Sequence, residues 1–234
     1  MTPLKSFSVF ELDRPETANA LDLNSAKLLS QAVKKAVSRN ELGLIIASHH
    51  PRIFCSGGDL QVYSKTQTKS KGVSINRQIR KILQELASQP ILVVAAVEGE
   101  AIGGGCELAL ACDWIVASGS SAFSFRQVNQ HLIPGWGGGH RLLKRVRPSI
   151  SLDWLTSGRR VGAQEAFRCG LVDQLCAKGT TLAESQEFLR NRAPLSAALL
   201  KAAKLIVGNG AREEEKFFNQ LWFKEGHRKA LKSR

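Results

Sequence analysis

The chain is poor in the features that define several protein classes. No CxxC pair occurs among its five cysteines, which are Cys55, Cys106, Cys112, Cys169 and Cys176. An odd number of cysteines without metal-ligand spacing predicts reduced thiols and argues against disulfide-stapled and zinc-bound folds. No apolar stretch reaches membrane-spanning length, and the N-terminus has no signal-like apolar core. These absences favour a cytoplasmic protein with neither a bound metal nor a membrane anchor.

Acidic residues are also scarce. The 234 residues include 20 Asp and Glu against 33 Lys and Arg, which gives a net charge of +13. Such an excess predicts attraction to anions, whether nucleic acid, phosphorylated small molecules or acidic surfaces. Aromatic residues make up only 6% of the chain, and neither an RNA-recognition signature nor zinc-finger spacing accompanies the charge. A solvated basic face is therefore an equal alternative to an anion-binding one, and nucleic acid is a possible but less favoured partner.

Strands and helices alternate over the first part of the sequence. β-Branched and alternating stretches predict four strands, at 6–12, 42–48, 91–97 and 113–118. Apolar stripes predict helices at 22–39, where Leu28 belongs to the inward stripe and Asp22 or Asn24 begins the helix, and at about 74–88. Strands separated by helices favour a parallel sheet covered on at least one face.

The second part of the sequence is predicted to be mainly helical. Beyond about residue 150 the strand signals become weak, and helices are expected at 162–169, 180–192, 195–207 and 212–231. The segment 63–74 is polar and rich in lysine, which predicts a mobile surface loop.

Two glycine loops are the main candidates for a functional site. They are FCSGGDL (54–60), after the second predicted strand, and IGGGCEL (102–108), after the third. Glycines at a strand-to-helix junction leave backbone N–H groups that point outward. Two such groups that converge would hold an enolate or oxyanion, and the helix predicted to begin at the glycine triplet favours the same negative charge.

Glu107 is the acid placed beside the second loop. It follows Gly104 by three residues on the same helix face, and its side chain leans back toward the helix start. That position suits proton transfer next to a thioester or ketone carbonyl. The alternative is a first-turn acid stabilised by the helix dipole, with glycines that serve close packing. Neither GxGxxG nor GxxxxGK[ST] is present to indicate a nucleotide-phosphate loop.

Five motifs in a fixed order resemble those of the crotonase (enoyl-CoA hydratase/isomerase) family. They are LDRPETANAL, IFCSGGDL, AAVEGEAIGGGCELALACD, LIPGWGGGHRL and LTSGRRVGAQEAFRCGLVDQL. The resemblance covers about residues 7–176, with a weaker echo in FKEGHRKAL near the end. It implies an α/β spiral of ββα repeats over residues 1–176 and a C-terminal helical region, 177–234, that forms a homotrimer or a dimer of trimers. It also implies a coenzyme A thioester as substrate and no permanently bound cofactor.

The resemblance further implies roles for single residues. The backbone amides of Gly58 and Gly104 would form the oxyanion hole, and Glu107 would be the first catalytic glutamate. Gly135 would line the acyl pocket. The residues implied near the adenosine-diphosphate end of coenzyme A are Ala20, Leu21, Ser56, Asp59 and Leu60.

One position departs from the family pattern. Hydratases carry a second catalytic glutamate in a Pro-Glu pair seven residues before the proline of IPG, where this chain has Arg126 and Gln127. Gln127 hydrogen-bonds water but neither donates nor accepts a proton at pH 7. The loss of one general acid typically lowers the rate by about 10²- to 10⁴-fold.

The departure leaves several functions open. Enoyl-CoA hydration by a thioester-enolate mechanism is the leading expectation, with water or Glu107 filling both roles. Isomerisation and decarboxylation are rivals because they need the enolate site and one acid only. A CoA- or RNA-binding member without turnover is the rival from a different class. Arg126 either faces the pocket or faces solvent, His131 and His140 are weaker candidates, and Trp136 is expected to form a pocket wall or pack in the core.

Overall fold

The computed structural model describes residues 6–66, 68–192, 196–209, 211–222 and 224–232. The strands in these residues are β1 (Phe7–Leu12), β2 (Gly43–Ser48), β3 (Ile53–Cys55), β4 (Leu92–Val97), β5 (Glu100–Ile102), β6 (Trp114–Ser118), β7 (Ala122–Ser124), β8 (Val161–Gly162) and β9 (Gln174–Cys176). The helices are α1 (Leu23–Ser38), α2 (Leu60–Ser64), α3 (Lys69–Ser88), α4 (Gly104–Ala109), α5 (Gly138–Leu143), α6 (Pro148–Ser157), α7 (Ala163–Arg168), α8 (Thr181–Arg190), α9 (Ala197–Asn209), α10 (Ala211–Leu221) and α11 (Glu225–Lys232). Two short 3₁₀ helices cover Pro15–Thr17 and Arg126–Gln130.

The strands form two sheets, and the chain adds strands to the two sheets in turn. The larger sheet has the order β1-β2-β4-β6-β9, and all its neighbours are parallel. The smaller sheet has the order β3-β5-β7-β8, and only its β7–β8 pair is antiparallel. The pairs β2–β3, β4–β5 and β6–β7 each give one strand to each sheet, so the chain advances as a spiral of ββα repeats. The predicted parallel sheet with helical cover is present.

The central strands of the larger sheet, β2, β4 and β6, are buried on both faces. Along β2, Leu44 and Ile46 belong to the main core with α1 and α3, whereas Ile45 on the opposite face packs in a second cluster with Phe188 of α8 and Leu200 of α9. Burial on both faces explains why these strands have continuous apolar sequences instead of alternating ones. Because α8 and α9 cover the sheet, they extend its packing beyond residue 176. The division into 1–176 and 177–234 stays a prediction.

Three local predictions are wrong. The segment 63–74 is not a loop throughout, because α2 ends at Ser64 and α3 begins at Lys69, where the Thr68 hydroxyl accepts a hydrogen bond from the Lys71 amide at 3.3 Å. Gln67 lies outside the described residues. The polar composition was misleading because α3 leaves its first turns exposed and buries apolar residues only from Ile79 onward.

The other two corrections concern helix faces and ends. Leu28 of α1 is 49% exposed, since the buried stripe is narrower than predicted and consists of Ala26, Leu29, Val33 and Ala36. The single helix predicted at 212–231 is two helices, α10 and α11. Residues 224–230 contain no large apolar side chain. A single helix over 212–231 would therefore have no continuous apolar face to bury. Among the described helices, none is both long and apolar enough to cross a lipid bilayer.

Candidate active site

The two glycine loops lie against each other. They follow β3 and β5, which are adjacent parallel strands, so both loops leave the smaller sheet at the same edge. A Cβ atom on Gly57 would lie 2.9 Å from the amide nitrogen of Gly104, which shows that the loops touch through their backbones. Gly57 has a φ of +104°, a conformation that glycine adopts without steric cost. This contact therefore requires glycine at position 57.

The amides of Gly58 and Gly104 have no hydrogen-bond acceptor among the described residues. Gly58 pairs with Leu21 in a parallel bridge, but the bridge uses the Gly57 carbonyl, at 2.7 Å from the Leu21 amide, and the Asp59 amide, at 3.0 Å from the Leu21 carbonyl. Gly104 is the first residue of α4, where an amide has no acceptor within its own helix. The two predicted oxyanion-hole residues thus keep free donors on neighbouring loops.

The Glu107 carboxylate is buried and hydrogen-bonded through both oxygens. The residue is 2% exposed. Its Oε1 accepts from the side-chain nitrogen of Gln127 at 3.1 Å and from the Gly135 amide at 3.2 Å. Its Oε2 accepts from the Trp136 amide at 2.7 Å and from the Gly138 amide at 2.8 Å. Glu107 therefore holds the segment 135–138 against the start of α4, in addition to any chemical role.

Burial dominates the ionisation of Glu107. Desolvation raises its pKa, and the hydrogen bonds from Gly138, Trp136, Gln127 and Gly135 lower it by less, so that the pKa lies above the ordinary value of 4.5. A carboxyl group with a raised pKa retains a proton more readily than an exposed glutamate, as a general acid must.

Gln127 contacts Glu107 directly. It lies in the 3₁₀ helix Arg126–Gln130, which follows β7. Its Nε2 donates to Glu107, while its Oε1 is buried and has no hydrogen-bond partner in the described structure. Arg126 is exposed, so it faces solvent instead of the pocket, and His131 and His140 are exposed as well. Of these four candidates, only Gln127 lies at the site.

The indole of Trp136 covers the two glycine loops. Trp136 is 4% exposed. Its Cη2 atom would lie 2.7 Å from a Cβ on Gly104, and its Cζ2 atom 3.5 Å from a Cβ on Gly58. The ring therefore packs on the bare Cα atoms of both residues and belongs to the main core, as one of its two predicted roles requires. Its role as a pocket wall stays a prediction.

Tyr63 is a site residue that sequence reasoning missed. It lies on α2, and its Cε2 atom would be 2.8 Å from a Cβ on Gly58. Burial raises the pKa of its hydroxyl, the indole N–H of Trp136 lowers it, and the charge of Glu107 raises it again. Its sequence signal was its position four residues after Asp59, which the expected loop at 63–74 obscured.

The residues predicted near coenzyme A lie around the first glycine loop. Ala20 and Leu21 are buried and line a cleft of about 400 Å³ beside β1 and the start of α1. The Ser56 hydroxyl donates to the Thr17 carbonyl at 3.0 Å. Leu60 is 63% exposed. Ala20 and Leu21 thus lie in the segment that pairs with the first glycine loop, and that loop contains Ser56 and Leu60.

Asp59 and Gly135 have structural contacts of their own. One Asp59 oxygen accepts from the Arg14 guanidinium at 2.9 Å, and the other caps α2 by accepting from the Gln61 amide at 3.0 Å. The Gly135 carbonyl accepts from the Asn76 side chain at 3.2 Å, which ties the loop to α3. In the described part of the chain, no group of His, Cys, Asp and Glu is arranged to hold a metal ion.

Comparison with known proteins assigns the family. The profile of the enoyl-CoA hydratase/isomerase family matches residues 5–221. The chain belongs to this family. The crystal structure of an enoyl-CoA hydratase from Bacillus anthracis has a TM-score of 0.89 at 25% identity and covers 99% of this chain and 92% of its own. The predicted family and the predicted α/β spiral are both confirmed.

Curated relatives agree with this assignment. Mouse mitochondrial methylglutaconyl-CoA hydratase is 32% identical over 207 residues, which are 86% of this chain and 66% of the relative. A probable enoyl-CoA hydratase of Rhizobium meliloti (strain 1021) is 29% identical over 94% of this chain and 88% of the relative. The chain spans 61% to 66% of the length of the mammalian methylglutaconyl-CoA hydratases that it matches.

Proposed function

We propose that the protein processes acyl-CoA thioesters through a stabilised enolate and that its reaction is enoyl-CoA hydration. One observation carries the proposal: the free amides of Gly58 and Gly104 lie on touching loops, and the helix that begins at Gly104 also carries the buried acid Glu107. Membership of the enoyl-CoA hydratase/isomerase family supports the same chemistry.

In the proposed mechanism the two amides bind the thioester oxygen. As the water oxygen bonds to the β-carbon, the π electrons of the double bond form a new double bond between the α-carbon and the carbonyl carbon. The π electrons of the carbonyl group move to the thioester oxygen, and the amides stabilise the resulting enolate. Glu107 takes the proton that water loses and then returns it to the α-carbon. Gln127 keeps Glu107 in position through its amide nitrogen and transfers no proton. Glu107 thus acts as both base and acid.

Isomerisation and decarboxylation are the two alternative reactions. Double-bond migration and decarboxylation also pass through an enolate but need one acid or fewer, and Gln127 in place of the second glutamate favours them. The family and the site residues fit all three reactions, so the products must distinguish them.

Nucleic-acid binding has weaker support. Several arginines of the basic segments 141–147 and 158–160 are already paired. Arg145 contacts Asp173 at 2.7 Å, and Arg160 contacts Glu100 at 2.8 Å. Arg159 is held between two carboxylates and lies 2.8 Å from that of Asp153. Paired arginines contribute less to the attraction of phosphate groups. The homotrimer or dimer of trimers, the cytoplasmic location and the 176/177 boundary remain parts of the proposal.

The proposal is tested with a panel of enoyl- and acyl-CoA thioesters, by recording the masses of the products and the positions of their double bonds. Gain of one water supports hydration, loss of carbon dioxide supports decarboxylation, and a double-bond shift without mass change supports isomerisation. Binding should also weaken as salt rises, because coenzyme A carries phosphate groups and the chain has a net charge of +13. Undetectable acyl-CoA binding at low salt would refute the proposal. RNA binding tighter than CoA binding would instead support an RNA-binding member of the family without turnover.

A further inference from the structure

Trp136 is fixed on the site by its backbone. Its amide donates to Glu107 Oε2 at 2.7 Å, and its carbonyl accepts from the Arg141 guanidinium at 3.0 Å. Gly137, the next residue, has a φ of +93°, and a side chain there would be strained. Both backbone polar groups of Trp136 are thus held by hydrogen bonds, which fixes the orientation of the indole relative to the site.

That direction points the ring at the proposed carbonyl site. The indole packs on the Cα atoms of Gly58 and Gly104, and Tyr63 packs against Gly58 beside it. A side chain at position 104 would collide with the indole, so glycine at this position allows the ring to approach this closely. Trp136 is 4% exposed, so its ring leaves little open space above the Cα atoms of Gly58 and Gly104.

This packing restricts what the two amides can bind. A thioester oxygen held by both amides must lie about 2.7–3.1 Å from each nitrogen. The α-carbon of the acyl group is bonded to the carbon that carries this oxygen, so the first acyl carbons lie close to the indole, which packs on the Cα atoms of the same two residues. A short acyl group requires little space there, whereas a long one requires the ring to leave a well-packed position, which is costly.

We propose that Trp136 sets the upper size limit of the acyl group that the site accepts. This inference rests on the proposed function, because it assigns a substrate class to the same site. The native protein should bind thioesters with short acyl groups and exclude long ones, and removal of the indole should admit the long ones.

The test compares native protein with Trp136→Ala and Trp136→Phe on a series of saturated thioesters from acetyl-CoA to decanoyl-CoA. Saturated chains have no double bond to hydrate, so binding is measured apart from hydration. In native protein, Kd should weaken at least tenfold between butyryl-CoA and decanoyl-CoA. Trp136→Ala should abolish or reverse this difference, and Trp136→Phe should retain part of it because its ring is smaller.

Controls separate the possible failures. Trp136→Leu provides a milder truncation if the alanine variant does not fold, as thermal unfolding would show, and Trp114→Leu changes a tryptophan on β6 that packs on Phe188 away from the site. If native protein binds free coenzyme A and all chain lengths equally, or if the folded Trp136 variants keep the native profile, the size limit is wrong while the proposed function survives. If neither free coenzyme A nor acetyl-CoA binds to any variant, the proposed function itself fails.

Discussion

The side-chain nitrogen of Gln127 lies 3.1 Å from Oε1 of Glu107. This contact joins the two positions at which the family resemblance places catalytic glutamates. At one of these two positions an amide stands in place of the expected carboxyl group. The first predictions concern this pair.

Glu107→Gln should lower turnover of any accepted acyl-CoA by about 10²-fold or more, because it removes the acid beside the proposed carbonyl site. It should also destabilise the fold, since one amide NH₂ group would face backbone N–H donors and leave them unpaired, at about 1–3 kcal/mol. Steady-state kinetics and urea unfolding measure the two effects. Glu98→Gln is the matched control, because Glu98 accepts hydrogen bonds from Gly179 and Thr181 at 2.8 Å away from the site. Native activity in Glu107→Gln would place the acid elsewhere.

Gln127→Glu should restore two carboxyl groups at hydrogen-bond distance. Like charges this close cannot both ionise readily, so one of the two pKa values should rise strongly, and a neutral carboxyl group becomes available to protonate the α-carbon. Arg126 is exposed and does not compete for the new acid. Enoyl-CoA hydration should increase, with a new ionisation in the pH–rate profile. An unchanged rate and profile would mean that position 127 has no access to the substrate.

Stability should depend on pH through Glu107. Its pKa is raised by burial above 4.5, so the folded state binds its proton more tightly than the unfolded state does. The contribution of Glu107 is therefore fully present below the unfolded pKa and is lost as pH rises through the folded pKa. The stability difference between native protein and Glu107→Gln should shrink from pH 4 upward, as measured by urea unfolding at a series of pH values. A difference that grows over this range would contradict the raised pKa.

Lys204→Ala should destabilise the protein by about 3 kcal/mol, because it leaves the carboxylate of Asp113 without its cation in a largely buried site. The two groups are 2.8 Å apart, and the Lys204 side chain is 9% exposed. Burial already raises the pKa of Asp113 and Lys204 lowers it, so the loss should be greater at pH 7 than at acidic pH. Lys216→Ala removes an exposed pair with Glu213 and should change the free energy of unfolding by less than about 1 kcal/mol. Equal changes in the free energy of unfolding for the two variants would contradict the prediction that the Lys204–Asp113 ion pair stabilises the fold more than the exposed pair does.

The protein should assemble into a homotrimer or a dimer of trimers. The sequence around α10 carries several large apolar residues, and Phe218 is 58% exposed on the single chain. Sedimentation at micromolar concentration should give three or six times the chain mass of 25.5 kDa. Phe218→Glu should weaken the assembly if α10 is at the interface. A mass of one chain for the native protein would exclude this prediction.

The sequence was most informative where the chain is buried on both sides. The strands predicted at 6–12, 42–48, 91–97 and 113–118 each begin within one residue of β1, β2, β4 and β6. In β2, β4 and β6 the apolar residues are buried on both faces, which makes the apolar sequence continuous. The strands of the smaller sheet were missed, since two or three residues are too few to show a periodicity. Family motifs were the better guide there.

The surroundings of Glu107 illustrate what sequence reasoning could not supply. The motif placed the acid beside Gly104, but three of its four hydrogen-bond donors are backbone amides of residues 135–138, about thirty positions later in the chain. Backbone donors leave no signature in residue type. Tyr63 escaped for a related reason, because a polar segment that looks like a loop in sequence packs as two helices in the fold.

The winding of the sheets also bears on how the chain reaches its native state. Val9 pairs with Ile45, and Ile45 pairs with Val94. A strand of the larger sheet can therefore pair with the next one only after the intervening repeat has been synthesised. Pairing of strands that are far apart in sequence requires a long loop to close, and the entropy cost of closure comes before the new contacts stabilise the chain. Parallel sheets of this kind therefore fold slowly. The apolar strands therefore stay accessible to other chains for longer than in a helical bundle. Exposed apolar strands of this kind promote aggregation while the chain is still folding.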